Sequence, residues 1–264
     1  MALTGDCMKK FCFTVDDNIR FLRQINEAIP RSIFDHPYLA MYRRLHDSFG
    51  VSVQLNLFYE EESFSLSDMT DIYRSEWESV SDWLKLSFHS RCEIRDPYKN
   101  AGYDELFLDC KNVEREILRF ASPSSLAKTT TLHYCLATNE GLRALRDAGV
   151  LGLLGLFGTA DEPRVSYGRT PEECRIIRDG GIALSGDMAY LGIDVVLNCF
   201  TRAEILERLE SLCHRPLLKL MIHEQYFYPD YPRYQSDFED KLSLAFGYLY
   251  ERGFTSTFAE DILK

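Results

Sequence analysis

The chain lacks any apolar stretch near the roughly 18 residues that a membrane-spanning helix needs, so an integral membrane protein is not expected. Its first residues, "MALTGDCMKKFCFTV", carry no apolar h-region and no small-residue cleavage pattern. Basic charge is in deficit: 30 Lys and Arg stand against 41 Asp and Glu, a net charge of −11. A surface of that sign repels phosphate backbones, which argues against nucleic acid as a partner. Eight cysteines are present without one C-x-x-C pair. Cys12, Cys135, Cys199 and Cys213 sit inside apolar runs, so reduced core thiols and a cytoplasmic location are expected. Internal repeats, low-complexity tracts and linkers are also missing. The glycines of "GLLGLFG" (Gly152, Gly155, Gly158) precede no Lys-Ser/Thr, which excludes a P-loop and leaves a tightly packed strand.

What is present is alternation. With 264 residues, 45% of them hydrophobic, there is material for one sizeable core, read as a single domain over 1–264. Short β-branched or apolar runs recur: "KFCFTV", "VSVQLNLF", "WLKLSF", "TTTLHY", "VLGLLGLF", "GIDVVLNCF" and "PLLKLMI", with "FTSTF" as an eighth. Helical patterns separate them. Ile19, Leu22, Ile25 and Ile29 share a face before Pro30, and Val113, Ile117 and Phe120 share another. A helix over Asn139–Ala148 is stopped by Gly149. Helix starts are signalled at Thr170-Pro171-Glu172-Glu173, at Thr201-x-x-Glu204 and at Ser236-x-x-Glu239, the last opening the final helix. Seven or eight β/α units in this length predict an α/β fold with a parallel sheet closed into a barrel.

In such a barrel the strand C-termini gather at one mouth. The first strand ends in Asp16-Asp17, the second carries Asn56, the third ends in His89, the fourth carries His133, and the seventh ends in His223-Glu224. Adjacent carboxylates repel, but successive strand residues point in different directions. One can bind a metal, whose charge relieves the repulsion, while the other holds a water. In "HSRCE", a strand-to-helix turn would bring His89 and Glu93 to the same ion; His133 is the other candidate to complete the shell. The run "EQYFYPDYPRY" places Tyr226 and Tyr228, with Phe227, Tyr231 and Tyr234, on a mouth loop, where they would stack on a sugar ring, form a lid or pin the loop by packing on one another.

The stretches "TVDD", "HSRCE" and "LMIH" resemble the motifs of the polysaccharide deacetylase (NodB-homology) superfamily, whose patterns are T-F-D-D, H-[ST]-x-x-H and a strand-end His after aliphatic residues. The resemblance implies a distorted (β/α)7-8 barrel of the polysaccharide deacetylase/glycoside hydrolase type. It implies Asp16 as catalytic base, Asp17 and His89 as metal ligands and His223 as general acid. Val15 and Asn18 depart from the usual Phe and Gly, Glu93 stands where the second motif has its second His, and no R-P-P or D-x-x-D-W segment is found. The expected cofactor is one divalent ion, Zn before Mn, Fe or Co. The expected activity is hydrolysis of a non-peptide C–N bond in an N-acyl sugar or another small cytosolic amide. The alternative is a catalytically silent barrel that binds metal and carbohydrate.

Overall fold

A computed structural model describes residues 9–157 and 167–264. The first part of the chain runs β1 (Lys9–Asn18), α1 (Arg20–Ala28), α2 (Pro37–Phe49) and β2 (Val53–Phe58), then a small hairpin of β3 (Glu60–Glu61) and β4 (Phe64–Ser65). It continues through α3 (Arg74–Ser79), β5 (Leu84–Ser90), α4 (Tyr103–Phe120), β6 (Thr129–Thr131), α5 (Asn139–Ala148) and β7 (Gly152–Gly155). The second part holds α6 (Pro171–Arg178), β8 (Ile182–Ser185), β9 (Met188–Gly192), β10 (Val195–Val196), α7 (Arg202–Leu212), β11 (Leu217–His223), α8 (Phe238–Glu251), β12 (Phe254–Ser256) and α9 (Ala259–Ile262).

Strands β10, β11, β1, β2 and β5 pair in that order, all parallel. Strands β6, β7 and β9 form a second parallel set, with β8 antiparallel on its edge. Two seams join the sets into a ring. At one, Leu86 bridges Leu126 and the Ala127 N–H donates to the Leu86 carbonyl at 2.9 Å. At the other, the chain from β9 into β10 changes partner. The Ile193 N–H still reaches Gly155 O at 2.9 Å, and the next N–H, of Asp194, reaches Lys219 O at 2.8 Å. The expected single strand "GIDVVLNCF" is therefore two strands, and this break closes the barrel. The eighth strand, β12, pairs with Lys9–Phe11 at the base, on the edge of β1 that β2 occupies higher up at Thr14–Asn18.

Strand β1 is buried along Phe11–Asp16, as a strand covered on both faces must be. Phe11 and Phe13 pack outward on Phe246 of α8, with centroids at 5.8 and 4.9 Å. The alternate residues Cys12, Thr14 and Asp16 face the barrel interior. The capping boxes at Thr170 and Thr201 form as the sequence indicates. Ser236 does not cap: α8 begins at Phe238 after Asp237, without a side-chain cap, and α9 follows it. Ile29 lies past the end of α1 in a left-handed turn (φ 44°) and is exposed, not on the apolar face. The tight-strand reading of "GLLG" holds because a Cβ on Gly155 would lie 2.7 Å from the Tyr167 ring, and one on Gly152 would lie 2.8 Å from Leu263. Gly158 lies outside the described residues. The seven described cysteines are free thiols.

Candidate metal centre

The adjacent acids at the end of β1 are arranged by the backbone. Val15 pairs with Leu55 of β2, but Leu57 pairs with Asn18, so β1 carries one residue more than its partner. Asp17 takes the strain of this bulge with φ 62°, a conformation Asp tolerates better than most residues. Asn18 pins it: its Nδ2 donates to Val15 O (2.6 Å) and Asn56 O (3.1 Å), and its Oδ1 accepts from the Tyr38 hydroxyl (2.8 Å). The extra residue lets both carboxylates turn into one cavity.

That cavity, about 380 Å³, opens at the strand C-termini and is lined by Asp16, Asp17, His89, Glu93, His133, His223 and Tyr226, among others. A second cavity of about 400 Å³ is lined by Ile177, Arg208 and Arg215 and holds none of these residues. Asp17 Oδ1 lies 3.0 Å from His89 Nε2 and 3.1 Å from His133 Nδ1, and the two ring nitrogens are 3.2 Å apart. Among the described residues these three form the cluster whose donor atoms all lie within 4.8 Å of one another. His89 Nδ1 faces the Thr131 carbonyl. A carbonyl only accepts, so Nδ1 carries the proton and Nε2 presents its lone pair to the cluster. Two imidazole nitrogens and a carboxylate oxygen converging within van der Waals distance fit a divalent cation of borderline softness.

The third donor of the cluster is His133, and Glu93 is not among its donor atoms. After Ser90 the chain does not enter a helix; α4 begins only at Tyr103. No helical turn therefore folds Glu93 back four residues, and it stands exposed at the cavity rim. Burial, and then the Asp17 charge, raise its carboxyl above the ordinary range.

The two acids of the bulge are driven apart. Burial raises Asp16 well above the usual carboxylate range and the charge of Asp17 adds to it, with the Asn56 bond opposing (Nδ2 to Asp16 Oδ1, 2.6 Å). Burial pushes Asp17 the same way, but the histidines around it, His133 and His89 foremost, hold it well below. Across β1 from Asp16, in register, is His223, whose Nδ1 lies 2.9 Å from Asn198 Oδ1. Burial lowers its pKa, with Asp17 opposing.

Two expected mouth residues lie elsewhere. Glu224 Oε2 accepts from the N–H of Ile19 (2.7 Å) and Arg20 (3.2 Å), and its Oε1 from the Phe21 N–H (2.8 Å) and the Tyr228 hydroxyl (2.7 Å). It is buried and caps α1 from across the fold, because the N-cap position, Ile19, has no polar side chain. Tyr228 is buried beside it, with Arg20 stacked 4.0 Å over its ring, and does not line the cavity. Tyr226 does, with its ring centroid 6.1 Å from that of His223. Tyr231, another aromatic of that loop, also lines the cavity; Gln225, which donates to Asp17 Oδ2 at 2.7 Å, and Tyr134 and Asn198 were not among the expected residues. Asn198 ends the run "VVLN" and carried the same strand-end signal as Asn56.

The fold and site together define a distorted β/α barrel with an Asp-His-His cluster at its mouth. It is the polysaccharide deacetylase-like fold. No protein-family model and no curated protein matches the sequence. Solved structures do match. A 4-α-glucanotransferase from Thermococcus litoralis superposes with a TM-score of 0.63 at 14% identity, over 97% of this chain and 40% of that one, so this chain spans well under half of it. A putative polysaccharide deacetylase from Mycobacterium smegmatis gives 0.55 at 10% identity, over 97% and 90%. A family 4 acetyl xylan esterase from Clostridium thermocellum, in complex with a cobalt ion, gives 0.53 at 11%, over 96% and 90%. Among the described residues no helix is long and apolar enough to cross a membrane.

Proposed function

We propose that the protein is a metal-dependent hydrolase of a non-peptide amide bond, removing an acyl group from an N-acyl sugar or another small amide. The observation that carries this reading is that Asp16 and His223 line the same cavity as the Asp17–His89–His133 cluster. A divalent ion held by those three side chains supplies charge that favours the ionised form of Asp16 and electrophilic help at an acyl oxygen. Zn suits the one-carboxylate, two-imidazole donor set, with Mn, Fe or Co also tolerated. Asp16, buried and hydrogen-bonded to Asn56, takes the proton of the attacking water. His223, held by Asn198 through Nδ1, keeps Nε2 for the departing amine; as the imidazolium it gives up the Nε2 proton as the C–N bond breaks and ends as the neutral ring protonated at Nδ1. Tyr226 and Tyr231 offer ring faces to a sugar. Free thiols throughout the described residues support a reducing, cytoplasmic compartment.

The second reading, a silent metal- and sugar-binding barrel, is favoured by one observation: a Bacillus anthracis chain of similar fold is described as a family 4 pseudoenzyme, and a mutant of it as having restored activity. An acetate-release screen on metal-loaded protein separates the two. Asp16→Asn is expected to keep metal and substrate affinity and to lose about 10²–10⁴-fold in turnover, the range for a general base. His223→Gln should cost a similar factor, most for basic leaving amines. Turnover that survives both changes overturns the mechanism; absence of turnover in wild type across the panel, with ligand affinity intact, supports the silent barrel.

A further inference from the structure

Beneath Asp16 the barrel interior is polar, and its hydrogen bonds have a direction. The direction is set by a group that can only accept, the carbonyl of Thr129 on β6. Gln54 Nε2 donates to it at 2.9 Å, which fixes the Gln54 amide with nitrogen on that side; Gln54 Oε1 in turn accepts from the Thr129 hydroxyl at 3.0 Å. The same Nε2 donates to Asn56 Oδ1 at 2.8 Å, and the Ser87 hydroxyl donates to that oxygen too. With two donors on its oxygen, the Asn56 amide cannot turn over. Its Nδ2 therefore faces Asp16 and donates to Oδ1 at 2.6 Å. Gln54, Asn56, Ser87 and Thr129 are each no more than 1% exposed, so bulk water does not compete for any of these bonds.

We propose that the chain Thr129 C=O, Gln54, Asn56 is a positioning device that commits Oδ1 of Asp16 to accepting an N–H and reserves Oδ2 for the proton taken from water. The inference rests on the reading of Asp16 as the base. Gln54 and Asn56 touch no reacting atom; they act through Asp16. An amide that can flip would present either a donor or an acceptor to Oδ1, and an acceptor there would repel the ionised carboxylate that the reaction requires. A backbone carbonyl two residues removed eliminates the wrong state. Because the device acts on the orientation of the base and not on the substrate, it should govern kcat and leave KM alone.

Gln54→Glu tests this with no change of shape and no direct contact with Asp16. The carboxyl group of that variant, ionised or protonated, cannot donate to both Thr129 O and Asn56 Oδ1, so the Asn56 amide should turn. The first readout needs no turnover: the side-chain NH2 resonances of Asn56 in a 15N-correlated NMR spectrum of the full chain. They should be protected from exchange in wild type, shift in Asp16→Asn, and shift at least as far in Gln54→Glu. The second readout is kinetic: a loss of roughly 10–100-fold in kcat, KM within about twofold, and metal stoichiometry unchanged. Ser87→Ala, which removes one of the two donors on Asn56 Oδ1 and is small enough to fold, should give the same pattern at lower amplitude, and Ser87→Thr should restore it. Unmoved Asn56 NH2 resonances in Gln54→Glu overturn the relay. So does a kcat equal to wild type while Asp16→Asn is inactive. A fully active Asp16→Asn would instead remove Asp16 as the base, a failure of the functional reading and not of the hydrogen-bond polarity that the NMR measures.

Discussion

Replacing Glu224 by Ala should destabilise the fold strongly without touching the metal cluster. Glu224 is 1% exposed and receives four hydrogen bonds, three of them from consecutive N–H groups at the start of α1. Losing a helix cap costs about 0.5–2 kcal/mol. Each further buried donor left without a partner costs about 1–3 kcal/mol. Water entering the vacated space recovers part of that, which leaves about 3–5 kcal/mol. For a chain of this size that is a fall of roughly 6–20 °C in Tm. The loss should depend on pH in a stated direction. Burial pushes the Glu224 carboxyl up to about 7, against the bonds from Tyr228 and the three N–H groups. A glutamate in the unfolded chain titrates near 4.3. Between those values the folded state holds a proton that the unfolded state has released, so this group's contribution to stability is greatest at low pH and falls as pH rises to about 7, by up to about 4 kcal/mol. The Ala variant lacks that slope, so the gap between wild type and variant should be largest near pH 5 and narrow above pH 7. The assay is denaturant unfolding of both proteins, metal-free, from pH 5 to 8. A wild-type unfolding midpoint in the variant would refute the capping role. A gap that widens with pH would show that the helix N-terminus outweighs burial and holds the carboxylate ionised.

Two other predictions concern the site and its wall. His133→Ala and His89→Ala should each abolish the roughly one divalent ion per chain expected on metal analysis, while Glu93→Gln leaves affinity within about threefold; a tenfold loss in Glu93→Gln would return Glu93 to the metal shell. Gly155→Ala should cost about 1–3 kcal/mol by overpacking, because its Cβ meets Tyr167, a ring fixed by bonds to Leu154 O (2.7 Å) and from Leu132 N–H (3.1 Å); an unchanged unfolding midpoint would contradict that.

Strand positions and the histidines at their ends were readable because the signal is local: an apolar run, then a polar residue, then a helical period. That pattern alone brings Asp16, Asp17, His89, His133 and His223 to one mouth. What was not readable depended on the backbone between elements. Bringing Glu93 to the ion assumed a strand-to-helix turn at the end of β5, whereas residues 91–102 intervene before α4 begins at Tyr103. Glu224 follows His223 in sequence but points to the other side of β11, where α1 lacks a cap, a need that only the packed structure reveals. The bulge at Asp17 leaves little trace in sequence, since Asp, unlike Gly, does not advertise a positive φ. The split of "GIDVVLNCF" is equally silent: the residues are all compatible with one strand, and the change of partner at Asp194 is set by how far the ring must turn to close.

The end of β1 is held from three sides, by Asn18 within the bulge, by Asn56 under Asp16 and by Glu224 on the helix that follows. Such support keeps two carboxylates adjacent and buried where repulsion would part them. In the metal-free protein Asp16 itself opposes the fold: it is 2% exposed, forms no ion pair among the described residues and adjoins Asp17. Its raised pKa means that, above the ordinary carboxylate range, folding must retain a proton or bury a second negative charge, and stability falls as pH rises through that window. Asp16→Asn keeps an oxygen for the Asn56 N–H and removes the charge. Metal-free Asp16→Asn should therefore be more stable than wild type at pH 8, by about 0.5–2 kcal/mol, the usual gain when a functional charge is neutralised, and the two should converge near pH 4, where Asp16 is protonated. A purely structural role predicts the opposite sign. Unfolding midpoints at the two pH values decide it: a variant less stable than wild type at pH 8 would mean that Asp16 serves the fold, and its retention in this cavity would then say nothing about catalysis.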